Sequence, residues 1–140
     1  MSGTVAEPAS TGRSTTSAVV LSFVVDLVLV VVFVLIGRRS HAEALDLAGI
    51  AATAWPFAVA LLVGWAVARA WRSPVAVWPT GVIVWAVTVV GGLALRVLAG
   101  DTAQVPFMIV ATVTLAVFLI GWRAIVALVR RLRGRARASA

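Results

Sequence analysis

Four apolar runs, each long enough to carry a single helix across a lipid bilayer, make up most of the sequence, and the first sets the terms for the others. It extends from Ala18 to Ile36, holds one acid, Asp26, near its middle, and stops at Gly37-Arg38-Arg39-Ser40-His41. At about 1.5 Å of rise per residue, a helix of this length covers roughly the hydrocarbon thickness of a bilayer. No water is present there to satisfy backbone N–H and C=O groups, so the run is constrained to be helical. Three further runs, at about 47–71, 78–99 and 105–128, repeat the constraint. The predicted fold class is therefore an all-α membrane protein, a four-helix transmembrane bundle over 18–129. A Ser- and Thr-rich tail over 1–17 without apolar period is predicted to be disordered, and a basic tail covers 130–140. Composition agrees: 62% of the 140 residues are hydrophobic, 12% are charged and the mean hydropathy is +1.09, outside the range of soluble domains. The absence of cysteine excludes disulfides, thiol nucleophiles and thiolate metal sites.

The breaks between runs carry local signals. Ser40-His41-Ala42-Glu43 fits a capping box, which predicts a second helix starting at His41 after a tight Gly37-Arg38-Arg39 turn. That helix contains Pro56, a tolerated kink site in membranes, and a stripe of small residues at Ala60, Gly64 and Ala68 that lets another helix approach closely. Arg72-Ser73-Pro74 ends it, and Trp78-Pro79 is expected to open the third helix with proline in the first turn. Gly100-Asp101-Thr102 makes the last turn, with Asp101 or Gln104 as the cap before Pro106. A cleaved leader is disfavoured, because the first run is long, contains an acid and is followed by two arginines.

All twelve basic residues are arginine, and with five acids the net charge is +7. With four crossings, one side holds Arg13, Arg69, Arg72, Arg130, Arg131, Arg133, Arg135 and Arg137, and the other holds Arg38 and Arg39. The positive-inside rule then puts both termini in the cytoplasm of a multi-pass protein of the cell (inner) membrane. The arginines cluster beside apolar runs, so the expected partner is the lipid bilayer with its anionic headgroups and not nucleic acid. Four short helices enclose little room, which favours a homo-oligomer or a membrane-protein partner.

Asp26 carries the sharpest expectation. A carboxylate in hydrocarbon has to turn to the bundle interior, pair with a base or take up a proton. Helical rise places Arg123 of the fourth span about one turn below Asp26 and Trp85 of the third at similar height. Two readings stay open. In one, Asp26 is a proton or ion site with Arg123, and Trp85 and Thr88 line its path; in the other, Asp26 and Arg123 form a buried pair that sets helix register. Arg38, Arg39 and His41 form a candidate headgroup-binding rim, against the plainer reading of snorkelling arginines and a solvated histidine. His41 and Glu43 lack the further ligands that a metal site needs. Trp55, Trp71, Trp78 and Trp122 read as membrane-interface anchors, and Trp65 and Trp85 as packed between helices.

Several segments taken together point to a known family. These are Asp26, the stretch from Val32 through Gly37-Arg38-Arg39-Ser40-His41, Thr53-Ala54-Trp55-Pro56-Phe57, Trp78-Pro79-Thr80-Gly81, and Phe118-Leu119-Ile120-Gly121-Trp122-Arg123-Ala124. Over about residues 20–128 the chain resembles the small membrane proteins of actinobacteria and related microbes known as domain of unknown function 3054. The resemblance implies an integral membrane protein and supplies no catalytic residues. The first expected function is a small proton- or ion-coupled carrier or channel using Asp26. The alternative is a non-enzymatic scaffold or accessory subunit that binds another membrane protein through the Ala60, Gly64, Ala68 stripe. Catalysis on a lipid-linked substrate comes third and is not predicted, and neither is any cofactor.

Overall fold

A computed structural model describes residues 11–140, with side chains from residue 15 onward; the first part of the predicted tail, 1–10, lies outside the described residues. Every regular element among the described residues is helical: α1 (Thr11–Ser40), α2 (Leu47–Ala68), α3 (Val82–Leu98), α4 (Val105–Leu119) and α5 (Gly121–Ala138). Four helical stretches are long and apolar enough to cross a membrane, Thr15–Ser40, Leu47–Ala68, Val77–Leu98 and Val105–Ala138. The protein is thus all-α with four membrane-capable helices, and α4 and α5 form one crossing interrupted at Ile120.

The element ends differ from the sequence expectation at several places, each for a local reason. α1 begins at Thr11 and not Ala18, because a long apolar helix propagates into a short polar flank at little cost per residue. Its other end runs on to Ser40, whose hydroxyl donates to Ile36 O at 2.8 Å. Ser40 therefore closes α1 and does not cap α2. The cap of α2 is Asp46, which accepts from Gly49 N at 3.3 Å, and residues 41–46 form a loop where a tight turn was expected. Glu43, the expected partner of Ser40, pairs with Arg38 at 2.8 Å.

α2 continues unbroken through Pro56 but stops at Ala68, three residues short of Trp71. Arg69 there takes a left-handed conformation (φ 49°), and its N–H reaches the carbonyls of Ala66 and Trp65. Trp78-Pro79 opens the third membrane-capable stretch, Val77–Leu98, though not its α-helical part, α3. It lies in a wide π turn over Val77–Gly81 in which Trp78 is extended and the Trp78-Pro79 peptide is cis, and α3 starts at Val82. Pro106 sits in the first turn of α4, as expected, after Gln104.

α2 packs most extensively on α3, and small residues make this possible. A Cβ on Gly64 would come within 3.2 Å of Val84 O, and one on Gly91 within 3.1 Å of Ala60 Cβ. Gly92 lies directly under the Phe57 ring. The Ala60 and Gly64 stripe is thus filled from within by α3 and is not open to a foreign helix, which removes the surface assigned to a scaffold; Ala68 at its end is half-buried. The core between the helices gathers Val30, Phe33, Val34, Phe57, Leu61, Trp65, Val84, Leu115 and Leu119. The outward faces are equally apolar, with Leu21, Val24, Val28, Leu62, Val90 and Val117 all exposed, as suits contact with lipid.

Candidate functional site

On α1, Ser22, Asp26, Val30 and Phe33 follow one another at helical spacing and all are buried. On the last crossing, Ala111, Leu115, Leu119 and Arg123 do the same. These two faces meet, and Asp26 and Arg123, both 0% exposed, lie opposite each other. The guanidinium grips the carboxylate with both ends: Nη1 donates to Oδ1 at 2.8 Å and Nη2 to Oδ2 at 2.7 Å. Two indoles complete the carboxylate's shell. Trp65 Nε1 on α2 donates to Oδ2 and Trp122 Nε1 on α5 to Oδ1, each at 2.8 Å.

Arg123 is held equally well on its far side. Its Nε donates to Pro74 O at 3.0 Å, in the loop after α2, and Nη1 also donates to Leu119 O at 2.8 Å. Its guanidinium lies 4.6 Å from the centre of the Trp122 ring. The arginine stem passes Gly81, where a Cβ would come within 2.9 Å of Arg123 Cδ. Glycine at this place makes the passage possible. The desolvation penalty of two buried charges is thus offset by a two-pronged ion pair with further hydrogen bonds on both members, the arrangement that such a pair requires. The network joins α1, α2, the loop at Pro74 and α5.

Trp65 and Trp122 are the members that the sequence reading passes over. Trp122, read as an interface anchor, is half-buried and bonded to Asp26, whereas Trp55, Trp71 and Trp78 are exposed. The signal was present: a buried indole N–H needs an acceptor, and Asp26 is the acid of the apolar runs. Trp85 and Thr88, expected beside Asp26, do not join it. Trp85 Nε1 donates to Thr112 O at 3.0 Å across the α3 and α4 contact, and the Thr88 hydroxyl is fully buried with no hydrogen-bond partner among the described residues.

The opposite end of the bundle opens into a cavity of about 280 Å³. Phe33, Val34 and Phe107 supply apolar lining, and Arg38, His41, Glu43, Thr53, Arg96, Thr102 and Gln104 supply polar groups. Phe33, Phe57 and Phe107 meet edge-on or tilted in one cluster, with centroid separations of 5.3 to 6.4 Å, at the core side of the cavity. Phe33 stands seven residues after Asp26 on α1, so this plug sits about 10 Å along the helix from the ion pair.

Of the predicted rim, Arg38 and His41 line the cavity while Arg39 is exposed and outside it. Arg38 is committed to the loop. It donates to Ala44 O from Nε (3.0 Å) and Nη2 (2.7 Å) and to Thr53 Oγ1 (2.9 Å), and it pairs with Glu43. Among the described residues no three His, Asp or Glu side chains gather as metal ligands.

The model of a family described as protein of unknown function (DUF3054) matches residues 23–126. The chain belongs to this family. The matched segment takes in the whole ion-pair network and the whole cavity, and leaves the arginine-rich end of α5 outside. No curated protein and no solved structure matches the chain.

Proposed function

We propose that this protein is a small membrane carrier or channel subunit of the cell membrane, in a state open at the cavity end and sealed at the end held by Asp26 and Arg123. The observation that carries this reading is the contrast between the two ends. One presents a polar cavity above an aromatic plug; the other is closed by a fully desolvated ion pair bonded to two further segments, α2 and the loop at Pro74. With both termini cytoplasmic, the cavity faces the exterior and the seal lies toward the cytoplasm. In this reading Asp26 is the group whose charge is released when the seal opens, and the partnerless Thr88 hydroxyl is a polar foothold inside the apolar core. Ion-coupled flux into liposomes containing the purified chain is the direct test. Flux is expected for the unaltered protein and is lost in Asp26→Asn; absence of flux from well-folded protein overturns the reading.

A second reading has its own support. Both oxygens of Asp26 are saturated by four donors, which suits a lock that sets helix register in an accessory subunit. A protein of that kind co-purifies with a fixed membrane partner, and replacing the pair by Asp26→Leu with Arg123→Met leaves its association intact.

A further inference from the structure

The two arginines of the cavity differ in a way that assigns the cavity a ligand. Arg38 spends its guanidinium on Ala44, Thr53 and Glu43, so its charge is neutralised within the loop. Arg96 on α3 makes one protein hydrogen bond, Nε to Thr102 O at 3.0 Å, and its guanidinium lies 4.7 Å from the centre of the Phe107 ring. Among the described residues that leaves both terminal nitrogens, Nη1 and Nη2, without a protein acceptor. No acid lies within ion-pair distance of it among the described residues. The result is a half-buried, uncompensated cation with its hydrogen-bonding fork fixed by a carbonyl on one side and an aromatic face on the other. Such a fork matches two oxygens of a carboxylate or phosphate.

We propose that this cavity binds a small oxyanion carried on an apolar stem, with Arg96 as the residue that takes the charged end and Phe33, Val34 and Phe107 receiving the stem. The apolar floor and the single open cation occur in the same cavity, and each accounts for one half of the ligand. The volume of about 280 Å³ holds roughly nine groups of water size at about 30 Å³ each, which limits the ligand to a small organic acid or the phosphate end of a lipid. This names a solute class for the carrier reading and rests on it for transport only; binding stands on the cavity itself.

The full-length chain in phosphatidylcholine nanodiscs, titrated with benzoate, benzyl alcohol and benzylammonium and followed by ligand-detected NMR, tests the assignment. Benzoate is expected to bind at least tenfold more tightly than either of the others. Arg96→Gln is expected to remove that preference, while Arg39→Gln, outside the cavity, keeps it. Gly37→Leu supplies a second handle. Gly37 lines the cavity and a Cβ there meets nothing within 4 Å, so a side chain can be started there without a clash, and the leucine is expected to abolish benzoate binding by taking up cavity space.

Nanodiscs made with phosphatidylglycerol, whose headgroup phosphate has no choline cation beside it to compensate its charge, separate the two sources of the oxyanion. Loss of benzoate binding there in the unaltered chain identifies a lipid phosphate as the occupant, and unchanged binding identifies a free acid. Equal binding of benzoate and benzyl alcohol, or a benzoate preference that survives both Arg96→Gln and Gly37→Leu, overturns the proposal. Benzoate binding without any flux leaves the site standing and removes the carrier; flux without benzoate binding does the reverse.

Discussion

Asp26 has the most demanding position in the chain, because its charge is tolerable only while every donor around it stays in place. Asp26→Asn leaves the Arg123 guanidinium buried with a neutral amide in place of its counter-charge, a change that costs about 3–5 kcal/mol when a buried pair loses one member. The expected outcome is a marked fall in thermal stability of the purified protein in detergent, with Arg123→Gln falling by a similar amount. The double variant is expected to lose less than the sum of the two, by about 1–3 kcal/mol, since the second change no longer breaks an intact pair. Strictly additive losses would mean that the two side chains act independently. Arg96 has the contrary logic: it is a cation with a fixed orientation and, among the described residues, no acid within ion-pair distance, which is why the ligand proposed above is placed on it.

Among the elements, α2 shows most clearly how a local pattern misleads when a neighbouring residue competes. Ser40 and Glu43 match the spacing of a capping box, yet Arg38 is close enough to take Glu43, and Ser40 bonds back to Ile36 O within α1. Asp46 is left as the residue that meets the free N–H groups of α2. Asp46→Ala is therefore expected to lower thermal stability by about 0.5–2 kcal/mol, as loss of a helix cap does, while Ser40→Ala leaves it within a few tenths of a kcal/mol. The reverse order, with Ser40→Ala the more damaging, would restore the earlier helix start. α2 and α3 also show why a small-residue stripe is ambiguous from sequence: Gly64, Ala60 and Gly91 say that two helices come close, and the partner turns out to be the next helix of the same chain.

For the whole molecule, the disposition proposed in the membrane rests on eight arginines on one side of the apolar helices against Arg38 and Arg39 on the other. The chain has no cysteine, so single cysteines report without background. Ala44→Cys in the first loop is expected to react with a membrane-impermeant maleimide in intact cells, and Ala140→Cys only after lysis. The opposite pattern would turn the cavity toward the cytoplasm and would invert the direction proposed for the carrier. At this scale the molecule is a packed helical bundle with three phenylalanines beneath the cavity at one end and a buried ion pair toward the other, and the Thr88 hydroxyl lies buried in the core between them.

Length and apolarity sufficed for the number of crossings, and the reason is that hydrocarbon forces each long apolar run into a helix whatever its neighbours do. The same physics made Asp26 and Arg123 stand out, since a charge in such a run has to find an opposite charge or the interior. Facing could not be read in that way. The lipid side of α1, with Leu21, Val24 and Val28, is as apolar as its buried side, so periodicity does not say which residues turn inward. Only the packed bundle decided that Trp65 and Trp122, distant in sequence from Asp26, complete its shell while Trp85 bonds elsewhere. It likewise decided which arginine of the cavity is spent and which is open, because that depends on backbone carbonyls brought near by the loops, and a carbonyl is the one acceptor every residue carries.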